Sequence, residues 1–149
     1  MATRHRLTIR TLDRDPRAAA LIDAAAHLGI HVPESIDVAD LVFIEGALTD
    51  DDRKRLRTVL VDPLLQHGSW ELPSSSGVEI TFLPGVTDTA ADAVRHAAEQ
   101  LGITIDGAAT GRRVEFAEAV DPATADAIVR RLVANPVIER WHHGAIDPP

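Results

Sequence analysis

Hydrophobic and polar residues alternate most regularly in the second half of the chain. Residues 78–83 (VEITFL) alternate with a period of two, which predicts a strand with one buried face. Pro84-Gly85 breaks this pattern, and Asp88 can cap a helix that follows. Gly102 supplies the stop of that helix. Its apolar positions recur at helical spacing and are Ala90, Ala91, Val94, Ala97, Ala98 and Leu101.

The remainder of the second half predicts a hairpin, a helix and a last strand. Residues 103–108 and 112–116 read as two short strands, with Gly111 in the tight turn between them. Asp121-Pro122 starts a helix, because the Asp121 carboxylate can accept from free N–H groups and proline has no N–H to leave unpaired. Asn135-Pro136 ends it. With a strand at 137–141, the order is β-α-β-β-α-β, which is the ferredoxin-like unit.

The first half gives the same order with weaker signals. We predict strands at 5–11, near Ile36 and at 41–45, with helices at 16–28 and 50–60. Asp62-Pro63 stops the second helix. The acidic run 50–52 suits the first turn of a helix without any bound ion.

Residues 114–141 repeat residues 42–70 in loosened form, at an offset near 73 residues. Asp62-Pro63 falls opposite Asn135-Pro136, and Trp70 falls opposite Trp141. Residues 73–77 (PSSSG) form a polar linker where a boundary between repeats should lie. We therefore predict an α+β chain of two tandem ferredoxin-like repeats, 1–72 and 78–149. They either pack sheet to sheet or join edges as a pseudo-dimer.

Composition narrows the class of protein. Hydrophobic residues make up 45% and charged residues 26%, which is globular composition. The formal net charge of −8 disfavours nucleic acid as a partner. No apolar run reaches the ~20 residues of a membrane span, and residues 1–10 lack the apolar stretch of a secretory signal. Without cysteine there is no disulfide framework, and we expect a cytoplasmic protein.

Candidate chemistry is sparse. The seven histidines lack metal-ligand spacing, so we predict no metal site. We also find no nucleophile–base pair and no cofactor motif, and we predict no catalytic residue and no cofactor. A weak anion site could form on the free N–H groups of Gly85, Val86 and Thr87, although the sequence favours a simple capped strand-to-helix turn there.

Four segments together resemble the PurS family, the small subunit of phosphoribosylformylglycinamidine synthase. They are 83–88 (LPGVTD), 97–103 (AAEQLGI), 110–115 (TGRRVE) and 132–139 (LVANPVIE). The last segment is the most specific. The resemblance covers residues 78–141 well and residues 5–70 weakly. The first half has drifted from the family pattern, and family members usually have about half this length.

The resemblance implies a non-catalytic role in the amide-to-amidine step of purine biosynthesis, which uses ATP and glutamine. PurS-like units dimerise and join the synthetase large subunit to the glutaminase subunit, supporting ammonia transfer. The chain would then be an assembly subunit or domain, with the duplication replacing a homodimer. The alternatives are a ferredoxin-like module that binds a small anionic metabolite near Gly85 or Arg112, and, with the least support, a stand-alone enzyme.

Five residues are candidates for contact with these partners. They are Arg112, Arg113, Asn135, Pro136 and Glu139. The two arginines can pair with an anion or with a partner carboxylate, and alternation along a strand turns one of them toward solvent. Asn135-Pro136 is either a contact or only a helix stop.

Overall fold

A computed structural model describes residues 3–33, 35–73, 76–116 and 120–145. The first half contains β1 (Arg4–Thr11), α1 (Pro16–His27), β2 (Ile36–Glu45), α2 (Asp50–Leu60) and β3 (Gln66–Ser69). The second half contains β4 (Ser76–Phe82), α3 (Thr89–Gln100), β5 (Gly107–Phe116), α4 (Pro122–Ile128) and β6 (Glu139–His143). A π-helical turn, Val129–Val133, extends α4.

All six strands form one antiparallel sheet with the order β3-β1-β2-β5-β4-β6. The two halves meet at the edges of their sheets, because β2 pairs with β5 over ten residue pairs from Ile36↔Phe116 to Glu45↔Gly107. The α+β class is therefore confirmed, and the arrangement is compatible with a ferredoxin-like fold. Of the two packings left open by the sequence, the structure has the joined edges.

Within the described residues each half contains three strands, so the predicted count of four is wrong. The predicted hairpin around Gly111 is a single strand, β5, and the two strands expected near Ile36 and at 41–45 are likewise one strand, β2. Gly111 lies in the middle of β5, at a point where β4 passes close to it. A Cβ added there would stand 2.4 Å from the carbonyl oxygen of Ile80. The glycine thus serves a close approach of two strands and not a turn.

Helix boundaries follow the sequence more closely. Asp15 and Asp88 cap α1 and α3 through their carboxylates, and Thr49 with Asp52 forms a capping box on α2. The expected cap of α4 is wrong, because Asp121 makes no side-chain hydrogen bond to the helix. Pro122 does stand at the first helical position. Strand β4 begins at Ser76, inside the predicted linker, and Ser74 and Ser75 lie outside the described residues.

The helices cover one face of the sheet over two separate hydrophobic cores. The first core joins α1 to α4 and includes Leu21 and Ile128. The second joins α2 to α3 and includes Leu56 and Val94. Each core therefore combines one helix from the first half with one helix from the second, so neither half has a complete core of its own.

The opposite face of the sheet is concave. Arg6 on β1 and Glu79 on β4 stand three strand spacings apart, about 14 Å in a flat sheet, yet their side chains hydrogen-bond at 2.8 Å. Strong coiling of the sheet brings them together. No helix of the described residues is long and apolar enough to cross a membrane.

Candidate functional site

A row of charges separates the two cores at the centre of the sheet. Asp40 of β2 and Arg112 of β5 are directly opposed cross-strand partners on the face that carries the helices. Each takes its counter-charge from elsewhere. Arg17 at the start of α1 donates to Asp40 at 2.9 and 3.2 Å, and Arg112 donates to Glu139 at the start of β6.

Arg17 also holds the cap of its own helix. Its guanidinium donates to the Asp15 carboxylate at 2.8 Å. This hydrogen bond is the main cause that lowers the pKa of Asp15 below its ordinary value, and the same bond raises the pKa of Arg17. Asp15 and Asp40 thus both accept from the Arg17 guanidinium, which ties the start of α1 to the centre of the sheet.

Arg112, Asn135 and Glu139 meet in one cluster. Glu139 accepts from Arg112 with one carboxylate oxygen and from the backbone N–H of Asn135, at 2.8 Å, with the other. Arg112 also lies 3.4 Å from the carbonyl oxygen of Val133, at the end of the π-helical turn. The strand β5, the end of the α4 helix and the strand β6 are thereby tied at one point.

The turn from Asn135 to Glu139 ends the helix and starts the edge strand. The backbone N–H groups of Ile138 and Glu139 donate to the Asn135 carbonyl, and its side-chain oxygen accepts from Val137 N–H. Pro136 and Val137 are left on the surface, with Val137 79% exposed. Such an exposed apolar side chain on a braced turn suits contact with another protein.

The turn from Asp62 to Gln66 is built in the same way. Leu65 and Gln66 N–H donate to the Asp62 carbonyl, Leu64 N–H donates to the Asp62 carboxylate, and Asp62 N–H donates to the Gln66 side chain. Leu64, at the position of Val137, is 83% exposed. One difference stands out, because Gln66 cannot form the ion pair that Glu139 forms with Arg112.

A cavity of about 380 Å³ lies beside the central charges, under α3. Its walls are largely apolar and include Val42, Leu60, Ile80, Ala90 and Val94, with Arg112 and Glu139 also contributing. Ala90 is the second residue of α3, as Arg17 is the second residue of α1. The short side chain of Ala90 leaves room in the second half, whereas the Arg17 guanidinium reaches Asp40 in the first.

Arg113 does not join this cluster. It points to the concave face of the sheet, where its side chain is 1% exposed. It donates to Glu79 at 2.9 Å and to Glu115 at 3.0 Å. A direct contact between Arg113 and a partner would require this packing to open, so we revise the prediction for this residue. Arg112, as alternation along the strand requires, is the more exposed of the two.

The concave face holds an ion-pair network of five residues. They are Arg6, Arg10, Glu79, Arg113 and Glu115. Arg6 also packs over the Phe43 ring at 5.7 Å. Desolvation raises the pKa of Glu115, but hydrogen bonds and charges from Arg10 and Arg113 outweigh it and hold that pKa below its ordinary value. The hydrogen bond from Glu115 raises the pKa of Arg10.

At the predicted anion site, a carboxylate of the chain itself already accepts hydrogen bonds from neighbouring N–H groups. Asp88 accepts from Ala91 N–H at 3.0 Å and from both the N–H and the hydroxyl of Thr110 at 2.7 Å. Gly85, Val86 and Thr87 line a cavity of about 340 Å³ together with Asp88, Asp92 and Arg95, and Arg95 is paired with Asp92. Because the carboxylate of Asp88 already caps the helix and Arg95 already has a carboxylate partner, the capped turn is the interpretation that the geometry favours.

Histidines and acidic residues do not gather elsewhere in the described ranges. No three side chains among them group where a metal ion could be held. His142 and His143 fall on opposite faces of β6, since His142 pairs with Glu79 and His143 with Val78.

Sequence reasoning missed Arg17, Asp40 and Glu79 as parts of these clusters. One signal for Asp40 was present, because Asp40 and Arg112 are 72 residues apart, close to the repeat offset. Residues at that spacing can meet where two equivalent strands pair. Nothing in the local sequence marks Arg17, because its partner Asp40 belongs to β2, the strand that follows α1 in the chain.

The fold and these clusters define the class of protein. It is an α+β chain in which the clustered charged side chains bond one another, and its two braced turns expose apolar residues. Within that class, residues 75–145 match the family PurS, described as phosphoribosylformylglycinamidine (FGAM) synthase. The PurS resemblance predicted from the motifs of the second half is thereby confirmed, and it connects this segment to FGAM synthase and purine biosynthesis. A search of curated proteins gives no match.

Proposed function

We propose that this chain is a non-catalytic assembly component of FGAM synthase, built from two tandem PurS-like units joined as a covalent pseudo-dimer. It bridges the synthetase and glutaminase subunits and supports the passage of ammonia between them. The match of residues 75–145 to the family carries this proposal. The charged groups of the central cluster neutralise one another, which suits a scaffold, and the partners supply the chemistry.

The two-unit organisation, 1–72 and 78–149, is supported by the sheet and by the turns. The strand order runs β3-β1-β2 in one direction and β6-β4-β5 in the other, so the halves are arranged about the β2–β5 junction. The turns at Asp62 and Asn135 share their hydrogen bonds. Covalent linkage keeps the second unit at a high effective concentration beside the first.

The partner surface of the second half is centred on the turn at Asn135. Arg112 and Glu139 brace this turn from behind, and Pro136 and Val137 project from it. A partner that buries Val137 gains apolar contact area on a support that does not have to be ordered on binding. The turn at Asp62 offers Leu64 in the same position, without the ion pair behind it.

Reconstitution tests the proposal directly. The purified chain is mixed with the synthetase large subunit and the glutaminase of the same organism, and complexes are followed by size-exclusion chromatography. Glutamine-dependent FGAM formation is measured in parallel. We expect a ternary complex and a large gain in glutamine-dependent turnover when the chain is added. No complex and no gain, with both partners active, would overturn the proposal.

The substitution Val137→Asp tests whether the turn at Asn135 is the partner surface, and Leu64→Asp is its matched control. Both residues are highly exposed at equivalent turns, so neither substitution threatens the fold. We expect Val137→Asp to weaken complex formation by at least about tenfold, a cost of about 1.4 kcal/mol, and Leu64→Asp to leave it unchanged. Equal effects would mean that both turns bind. No effect of either would remove the turns from the interface.

A second candidate function is binding of a small anionic metabolite in the cavity beside Arg112. The observation that favours it is the space of about 380 Å³ left by Ala90, with a cationic group in its wall. A carboxylate there would compete with Glu139 for Arg112. Thermal unfolding with a panel of small carboxylic acids tests it. Stabilisation of the native chain but not of Ala90→Leu would support this function.

A further inference from the structure

The concave face contains ion pairs that cross between the halves with a fixed polarity. Arg6 donates to Glu79 at 2.8 and 2.5 Å, and Arg10 donates to Glu115 at 3.0 Å. In both pairs the cation belongs to the first half and the anion to the second. Arg6 and Glu79 are 7% and 0% exposed, so this pair is fully desolvated.

The strand register relates positions in the two halves once Val42 is aligned with Val114, as in the sequence repeat. Leu7 pairs with Val42 in the first half, as Val78 pairs with Val114 in the second. Residues of β1 therefore correspond to residues of β4 that lie 71 positions later, and residues of β2 to residues of β5 that lie 72 later. By this correspondence Arg6 and Arg10 match Gly77 and Thr81, and Glu79 and Glu115 match Thr8 and Phe43.

The charges are thus not repeated between the halves. Gly77 stands where the first half has Arg6, and a Cβ there would come within 2.7 Å of the Arg113 guanidinium carbon. Glycine at this position makes room for Arg113, which bonds the two glutamates of its own half. Each half has specialised in one partner of each crossing pair.

We infer that these charges make each half pair with the other half and not with a copy of itself. Two first halves would bring four arginines together, with Asp37 the one carboxylate known to attract Arg10. Two second halves would bring together four glutamates and only two arginines. At the junction, Asp40 would face Asp40, or Arg112 would face Arg112, and like charges directly opposed on neighbouring strands are destabilising.

These ion pairs determine which halves pair with each other more than they contribute to the free energy of unfolding. A buried ion pair replaced by well-packed apolar residues often costs little, whereas a buried charge without its partner costs several kcal/mol. The correct pairing gives an oppositely charged partner to each of the five residues of the ion-pair network, whereas self-pairing of first halves gathers only its cations and self-pairing of second halves gathers an excess of its anions. This inference rests on the two-unit organisation proposed above, but not on the identity of the binding partners.

The chain contains no cysteine, which permits a clean crosslinking test. Asp40 corresponds to Arg112 and faces it across the junction. In a pairing of two first halves, residue 40 of one chain would instead face residue 40 of another. Asp40→Cys therefore reports self-pairing as a covalent dimer, and Asp40→Cys with Arg112→Cys reports the native pairing as a bond within one chain.

Each variant is unfolded in denaturant, refolded at high protein concentration so that the halves choose partners again, oxidised, and run on a non-reducing gel. We expect little covalent dimer from Asp40→Cys. Adding Arg6→Met and Glu79→Met should raise the dimer yield at least about tenfold. Thr58→Cys, on the exposed side of α2, measures collisional crosslinking and should be insensitive to the methionine substitutions.

A second pair of substitutions, Arg10→Met with Glu115→Met, repeats the test at the less buried crossing pair, where misfolding is a smaller hazard. Equal dimer yields with and without the methionines, in both pairs, would overturn the inference. A failed intrachain bond in Asp40→Cys/Arg112→Cys would count against the β2–β5 junction itself. Neither result depends on the reconstituted synthase, so failure here and failure of the proposed function are distinguishable.

Discussion

The first turns of α1 and α3 do the same structural task with different chemistry. Both helices begin after a capping aspartate, Asp15 or Asp88, and both bury an alanine three residues later. The position just before that alanine differs, because Arg17 reaches to Asp40 in the first half while Ala90 leaves a cavity in the second. The two halves thus cap these helices in the same way. They differ in the side chains that reach from a helix to another element.

The turns at Asp62 and Asn135 extend this contrast. Their backbone hydrogen bonds coincide, yet only the second is backed by an ion pair, between Glu139 and Arg112. The second half is also the one that matches PurS. The two halves therefore differ most in the charges that act between elements, and four predictions test how far the two halves behave alike.

The largest difference should appear at Thr8 and Glu79. Glu79→Ala removes the buried counter-charge of Arg6 and one of the carboxylates that Arg113 binds, and we expect a loss of about 3–5 kcal/mol in the free energy of unfolding. Thr8→Val should be neutral or stabilising, because the Thr8 hydroxyl is buried and makes no hydrogen bond. Urea denaturation measures both. Similar losses at the two positions would show that the ion-pair network has no special role.

Gly111 and Ala39 form the next pair. Gly111→Ala places a Cβ against the Ile80 carbonyl, and we expect a loss of about 2–3 kcal/mol from overpacking. The reverse change, Ala39→Gly, on the equivalent buried position of β2 should cost only about 1 kcal/mol. Denaturant midpoints at constant slope test this. A tolerated alanine at 111 would contradict the close approach of β4 and β5.

The two turns should respond equally in stability. Asp62→Ala and Asn135→Ala each remove one side-chain acceptor for a backbone N–H, at Leu64 and at Val137. Each should cost about 0.5–1 kcal/mol, since one exposed hydrogen bond is lost. The control is Asn135→Asp, which keeps the acceptor. A difference above about 1 kcal/mol between the two alanine variants would show that the turns are not equivalent.

The smallest effect is the contribution of Glu115 to acid sensitivity. Its folded pKa lies below its ordinary value of 4.5, so the folded state binds fewer protons than the unfolded state. The stabilisation is fully present above the unfolded pKa and is lost as pH falls through the folded pKa. Glu115→Gln should therefore flatten the fall of the unfolding midpoint below pH 4.5. Glu99→Gln, on the exposed side of α3, should leave that slope unchanged.

The sequence predicted those features of the fold that are determined by residues a few positions apart. Asp15-Pro16, Asp88 and Gly102 bound the helices because caps and stops act within a few residues. The turn at Asn135 and the PurS likeness of the second half rest on a short, specific segment. Gly111 was misread, since Thr-Gly-Arg-Arg has the polarity of a turn and only the approach of β4 shows why glycine is needed. Arg113 was named as a candidate contact because the sequence does not show that it packs against Glu79 of the neighbouring strand and Glu115 of its own strand.

The shared cores also bear on how the chain is made. During synthesis the first half leaves the ribosome before α3 and α4 exist, yet α1 must pack on α4 and α2 must pack on α3. The nascent first half therefore cannot complete either core until α3 and α4 have emerged. Contacts of such long sequence separation slow folding and prolong the exposure of aggregation-prone surface.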